Sequence, residues 1–180
     1  MIGAGTGATV GKILGNDFAM KSGLGSATIK AGDLVVSALT ICNAFGDIFD
    51  FEKHIQIAGC YDRINREFMN TIEIYKDMNS DYSAFNQGKN TTISVVATNG
   101  IFDKAECMKI SSMAHNGYAN SIFPVHTLSD GDTIFTLATG EVKSDVSLVG
   151  ALASQVVERA VANSIYSSKS IGGFLANIDL

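Results

Sequence analysis

Runs of β-branched and apolar residues alternate along this chain with segments of helical periodicity, an alternation that predicts an α/β fold. Two observations carry the prediction. Leu34 to Asn43 and Thr91 to Ala97 read as strands, the first so nearly continuous in apolar and small residues that it suits a strand buried on both faces. Asp145 to about Ser167 sets Val149, Leu152, Val156, Val157, Ala160, Val161 and Ile165 at helical spacing. At 180 residues and 19.0 kDa the chain reads as a single domain over 1-180, with enough apolar residues for a sizeable core.

The remaining elements follow in order. Gly3 to Lys12 is rich in glycine and small hydroxylated residues, a composition for a tight turn or a strand that another backbone approaches closely. It is not a Walker A loop, because Thr6 and Ile13 stand where that motif needs glycine and a hydroxyl. Gly3-x-Gly5-x-x-Ala8 matches a loose dinucleotide fingerprint, which leaves a small nucleotide-binding α/β module as an alternative, although no strand precedes it and Asp33 lies too far on. Turn residues fill 14 to 26, Ala27 to Lys30 alternates as a strand, and Asn43 to Asp47 is a polar turn where the core run ends. Tyr61 to Met78 reads as an amphipathic helix, and Asn79 to Lys89 as an exposed polar linker. Asp103 to about Ile122 reads as a helix capped by Asp103, with Ala105, Met108, Met113, Ala114 and Ala119 on its packing face, and Thr133 to Thr139 as a strand.

Composition narrows the function. A net charge of -5, with lysines and arginines scattered, argues against a nucleic-acid partner. Neither a signal peptide nor an apolar run long enough to span a membrane is present, so the expected setting is cytoplasmic, with no membrane partner. Cys42, Cys60 and Cys107 lack the paired spacing of a zinc site or disulfide framework and read as reduced thiols. Asn90-Thr91-Thr92 fits the N-glycosylation pattern, which matters only in a secreted protein.

Chemistry concentrates in two places. Asn90 and Thr91 end a polar, glycine-bearing loop at the mouth of a strand; if the bond between them is broken, the freed α-amine, with a pKa of about 7.7 to 8.0, lies beside the Thr91 hydroxyl and can serve as its base. The same residues also read as an ordinary half-buried strand. Asp130-Gly131-Asp132 is the second place, readable as a plain turn or an acidic loop, though the EF-hand pattern is absent. His115 and Tyr118, at i and i+3, read as structural hydrogen-bonding groups rather than metal ligands.

The blocks Gly3-Ala4-Gly5-Thr6-Gly7-Ala8-Thr9-Val10-Gly11-Lys12, Lys21-Ser22-Gly23-Leu24-Gly25-Ser26-Ala27, Asn43-Ala44-Phe45-Gly46-Asp47, Asn90 to Asn99, Pro124-Val125-His126-Thr127 and Asp130-Gly131-Asp132-Thr133 keep an order and separation that resembles the DmpA-type L-aminopeptidase/D-esterases of peptidase family S58, which include the nylon-oligomer hydrolases. The resemblance runs from Gly3 to about Ile165. It implies a four-layer αββα sandwich and self-cleavage between Asn90 and Thr91 into 1-90 and 91-180. It further implies a threonine-type aminopeptidase or amidohydrolase in which Thr91 is the nucleophile, Asn43 binds the oxyanion, Asp130 and Asp132 orient the nucleophile, and Lys12 or Lys21 lies beside it. The implied substrates are short peptides, amino-acid amides and esters, and ω-amino-acid oligomers, with no cofactor and no metal. The implied assembly is a homo-oligomer of processed α/β heterodimers. Full-length members of the family carry a region of strands, with an active-site tyrosine, ahead of the first block. This chain is thus expected to be a partial family domain with uncovered apolar surface, and a catalytically inactive truncated homologue is the alternative.

Overall fold

A computed structural model of the chain describes residues 3–78 and 90–180. The first strands are β1 (Thr9–Val10), β2 (Met20–Lys21), β3 (Leu24–Ala31), β4 (Leu34–Ile41), β5 (Asp47–Asp50), β6 (Ile55–Ala58), β7 (Cys60–Asp62) and β8 (Glu67–Met69). After them come α1 (Thr71–Asp77), β9 (Ile93–Gly100), α2 (Lys104–Ser121), β10 (Ile122–Phe123), β11 (Thr133–Val142) and α3 (Val146–Tyr166). The expected Asn79 to Lys89 linker lies outside the described residues.

A four-stranded sheet ordered β11-β9-β4-β3 forms the centre. β11 pairs parallel with β9, whereas β4 runs antiparallel to both β9 and β3. Registers align the side chains into rows. On one face Gly25, Thr40, Ser94 and Ile134 form a row, and Ala27, Ala38, Val96 and Thr136 the next. α3 lies across β3 and β4 on this face, and α2 packs against α3 and β11. Val36, Val96, Ile110, Tyr118, Val149, Val156 and Ile165 are fully buried between the layers.

Small residues bring these layers close. A Cβ on Gly25 would lie 2.1 Å from the Ala160 carbonyl oxygen of α3, and one on Gly117 of α2 would lie 2.4 Å from the Ser154 carbonyl oxygen. Both helices begin on the aspartates that the sequence predicts. Asp103 accepts from the Glu106 N–H while Glu106 reaches back to the Asp103 N–H, and Asp145 accepts from the Leu148 N–H.

Among the described residues, the other face of the sheet is open. Its rows are Leu24, Ile41, Ile93 and Thr133; Ser26, Leu39, Val95 and Phe135; and Thr28, Ser37, Ala97 and Leu137. Leu39, Phe135 and Leu137 are 47%, 57% and 58% exposed. β4 is therefore buried on one face rather than on both.

Two further expectations change. Tyr61 to Met78 is not one helix: β7 turns into β8 and only Thr71–Asp77 is helical. The Asp62 carboxylate accepts from the N–H groups of Ile64 and Asn65, a local turn that outcompetes the helix and leaves Ile64 92% exposed. Asn70 then caps α1 by accepting from Ile72 and Glu73. On α2 the buried positions are Ile110, Ala114, Gly117, Tyr118 and Ser121, so Ala105, Met108 and Ala119 face outward and only Ala114 of the expected face is fully buried.

Candidate active site

The ladder registers build the site. β4 and β9 pair Ile41 with Ile93, and two residues beyond that pair the Thr91 N–H donates to the Asn43 carbonyl at 3.0 Å. β9 and β11 pair Ile93 with Thr133, and past that end Asn90 bridges Asp130 while the Gly131 N–H donates to the Asn90 carbonyl at 2.9 Å. Thr91 thus sits between Asn43 and Gly131, where two strand ladders run out into turns.

The Thr91 hydroxyl donates to the Asn90 carbonyl oxygen at 2.6 Å. The Asn90–Thr91 peptide is therefore in place with the hydroxyl against the carbonyl that precedes it. Asn90 is buried and Thr91 half-buried.

Lys12 arrives through the glycine-rich opening. Gly11 has φ +68, and a Cβ there would lie 1.8 Å from the Gly59 carbonyl carbon, so only glycine lets this segment pass the Gly59–Cys60 backbone. The Gly11 and Lys12 N–H groups donate to the carbonyls of Gly46 and Phe45. The Lys12 ammonium then donates to the Asn43 side-chain and main-chain oxygens at 2.8 and 3.2 Å and to Asn90 Oδ1 at 2.9 Å. Burial brings its pKa down to about 8, against the opposing pull of Cys42 and Asp130. Lys21, the other candidate, donates instead to the carbonyls of Gly5, Ala8 and Ser22, and burial lowers its pKa too. Gly3 to Ala8 leads into β1 rather than opening a helix, so the structural context of a dinucleotide fingerprint is missing there.

Asn43 Oδ1 accepts from both Lys12 and the Thr9 N–H. That fixes its carbonyl end. Asp130 accepts from the Phe45 N–H with one oxygen and from the Thr127 hydroxyl and N–H with the other, tying the 43–47 turn to its own loop. Asp132 accepts from the Thr92 N–H at 2.9 Å and pairs with His126 at 3.0 Å. Asp132 therefore holds the backbone just after Thr91, while Asp130 braces the 43–47 turn that accepts the Thr91 N–H. Cys42, fully buried beside Asn43, has its pKa pushed up to about 11 by burial, which keeps it a neutral thiol.

Thr9, His126, Thr127 and Gly131 have no role in the sequence reading. His126 and Thr127 stand in one of the quoted blocks, and their proximity to Asp130 is the signal that could have found them.

A family model described as peptidase family S58 matches residues 1–178. An uncharacterized aminopeptidase of Mycobacterium tuberculosis is 32% identical over 176 residues, which covers 86% of this chain and 51% of that protein. A 6-aminohexanoate-oligomer endohydrolase of a Kocuria species is 29% identical over 173 residues, covering 88% and 48%. The chain spans about half the length of the curated relatives it matches. Among solved structures, a β-aminopeptidase of a Burkholderia species aligns with a TM-score of 0.60 at 17% identity over 97% of this chain and 49% of that one. The L-aminopeptidase D-Ala-esterase/amidase of Ochrobactrum anthropi, described as a new variant among the Ntn hydrolase fold, gives the same score and identity over 97% and 48%. The helix pair and four-stranded sheet are thus one helix layer and one sheet layer of that fold. With its match over residues 1–178 and this shared architecture, the chain belongs to peptidase family S58.

Proposed function

We propose that the chain is a self-processing N-terminal-nucleophile amidohydrolase. The Thr91 hydroxyl oxygen attacks the Asn90 carbonyl carbon, its proton passing to neutral Lys12. The carbon–nitrogen bond then breaks as the Thr91 nitrogen takes up a proton, leaving an ester between Asn90 and the Thr91 oxygen. Water hydrolyses that ester, giving an Asn90 carboxylate and a Thr91 α-amine. The observation that carries this reading is the 2.6 Å contact between the Thr91 hydroxyl and the Asn90 carbonyl oxygen.

In the mature protein the α-amine, with a pKa of about 7.7 to 8.0, takes the proton of its own hydroxyl as the oxygen attacks an amide or ester. In this reading the Asn43 side-chain amide donates to the developing oxyanion, a role worth roughly 10² to 10³ in rate. Asp130 and Asp132 keep the threonine in place through the backbone groups they bind. The relatives' names support short peptides and ω-amino-acid oligomers as substrates, and the assembly is an oligomer of processed chain pairs in the cytoplasm.

The test is hydrolysis of an L-amino-acid anilide, a β-peptide and a 6-aminohexanoate oligomer by the purified chain and by Thr91→Ala. Turnover of at least one by the chain alone is expected; equal turnover by the variant would sink the assignment. The open apolar face supports a second reading, in which the chain folds and processes but hydrolyses nothing until that face is covered. Processing without turnover would favour it.

A further inference from the structure

We propose that Gly131 is a catalytic residue of the self-processing step, its N–H holding the oxyanion that forms on Asn90 and its missing side chain seating the Thr91 hydroxyl. The inference rests on the self-processing reading and adds the group that stabilises its intermediate.

The Gly131 N–H at 2.9 Å and the Thr91 hydroxyl at 2.6 Å both donate to the Asn90 carbonyl oxygen. When the hydroxyl oxygen bonds to the carbonyl carbon, its hydrogen leaves and that donor is lost. The Gly131 N–H stays. It faces an oxygen that changes from a carbonyl to a full alkoxide, the situation in which a fixed donor strengthens most. It is fixed from both sides: the Asp130 N–H donates to the Thr127 carbonyl, Asp130 is bound by Thr127 and Phe45, and Asp132 accepts from the Thr92 N–H.

The side chain matters separately. Gly131 is the cross-strand neighbour of Thr91, and a Cβ there would lie 2.8 Å from Thr91 Oγ1, 3.7 Å from its Cγ2 and 3.8 Å from the Asn90 oxygen. Its φ lies outside the left-handed region that only glycine enters readily, so alanine suits the backbone. The one short contact of an alanine methyl is with the nucleophilic oxygen. Rotation of Thr91 about χ1 relieves it at little cost to the fold and removes the hydroxyl from the attack position.

Intact mass over time at pH 8, together with thermal unfolding, tests this with the chain, Gly131→Ala, Gly131→Pro, Thr91→Ala and the Gly131→Ala/Thr91→Ala double variant. The chain is expected to split at Asn90/Thr91. Gly131→Ala, which keeps the N–H but displaces the hydroxyl, is expected to split about 10²-fold more slowly or not at all, with an unchanged Tm. Splitting of Gly131→Ala at the unsubstituted rate overturns the seating role of the missing side chain, and splitting at that rate by Gly131→Pro, which lacks the N–H, overturns the oxyanion role; either leaves self-processing standing. No splitting of the chain itself overturns both. If Gly131→Ala unfolds, recovery of folding in the double variant supports the clash with the Thr91 hydroxyl, and failure to recover overturns it.

Discussion

Three amide oxygens surround the Lys12 ammonium, two from Asn43 and one from Asn90, and burial brings its pKa down to about 8. Two pH dependences follow. If neutral Lys12 accepts the Thr91 proton, the rate of splitting climbs as pH rises through about 8 and levels off above it; a rate that stays flat from pH 6 to 10 rules Lys12 out as the acceptor. Stability carries the second. Between the folded pKa of about 8 and the ordinary lysine value of 10.5 the unfolded chain binds the proton and the folded chain does not. Lys12 should therefore contribute a rise in the stability of uncut Thr91→Ala with pH across that window. Denaturant titrations of Thr91→Ala with and without Lys12→Met check this, because the rise should be smaller without the lysine. The aspartates act at the same scale and differently from their sequence reading. Asp-Gly-Asp shows where two carboxylates stand, but which N–H each accepts depends on how three separate loops meet, so the grip on Phe45, Thr127 and Thr92 was not legible.

Helix caps and strand registers carry the structure at the scale of elements. Asp103 and Asp145 begin α2 and α3 by local hydrogen bonds that need no tertiary partner, and such signals are plain in a sequence. Where a local bond competed with a periodic pattern, the pattern misled: the Asp62 turn breaks the expected Tyr61 to Met78 helix despite the apolar spacing of Phe68, Ile72 and Tyr75. Likewise Leu34 to Asn43 has the composition of a doubly buried strand, yet which of its faces is covered depends on what packs there. The glycines at the layer contacts give a direct test. Gly25→Ala forces a methyl against the α3 backbone and Gly117→Ala does the same from α2. Each should cost about 1–3 kcal/mol in denaturant unfolding, the usual penalty for overpacking. A change within 0.5 kcal/mol would mean that α3 is free to move off the sheet.

Across the whole molecule, the sheet separates a helix-covered side from an open one. No helix among the described residues is long and apolar enough to cross a membrane, and the open rows around Leu39, Phe135 and Leu137 are apolar. An apolar face of this kind drives association in water. Replacing Leu39, Phe135 and Leu137 together by threonine should shift the chain toward monomer in light scattering while leaving its Tm within a few degrees. An unchanged mass distribution would place the association elsewhere. Thr91 stands at the end of this sheet, where β9 continues the ladders that hold Asn43 on one side and Gly131 on the other. The pairing that orders the core also orders the Asn90–Thr91 peptide.

That peptide bond is the place to measure first. Intact mass of the purified chain after incubation near pH 8, beside Thr91→Ala, should show two fragments that meet at Asn90/Thr91 in the chain and a single full-length mass in the variant. One uncut mass in both, from protein that unfolds cooperatively, would contradict self-processing; two fragments in both would move the nucleophile away from Thr91.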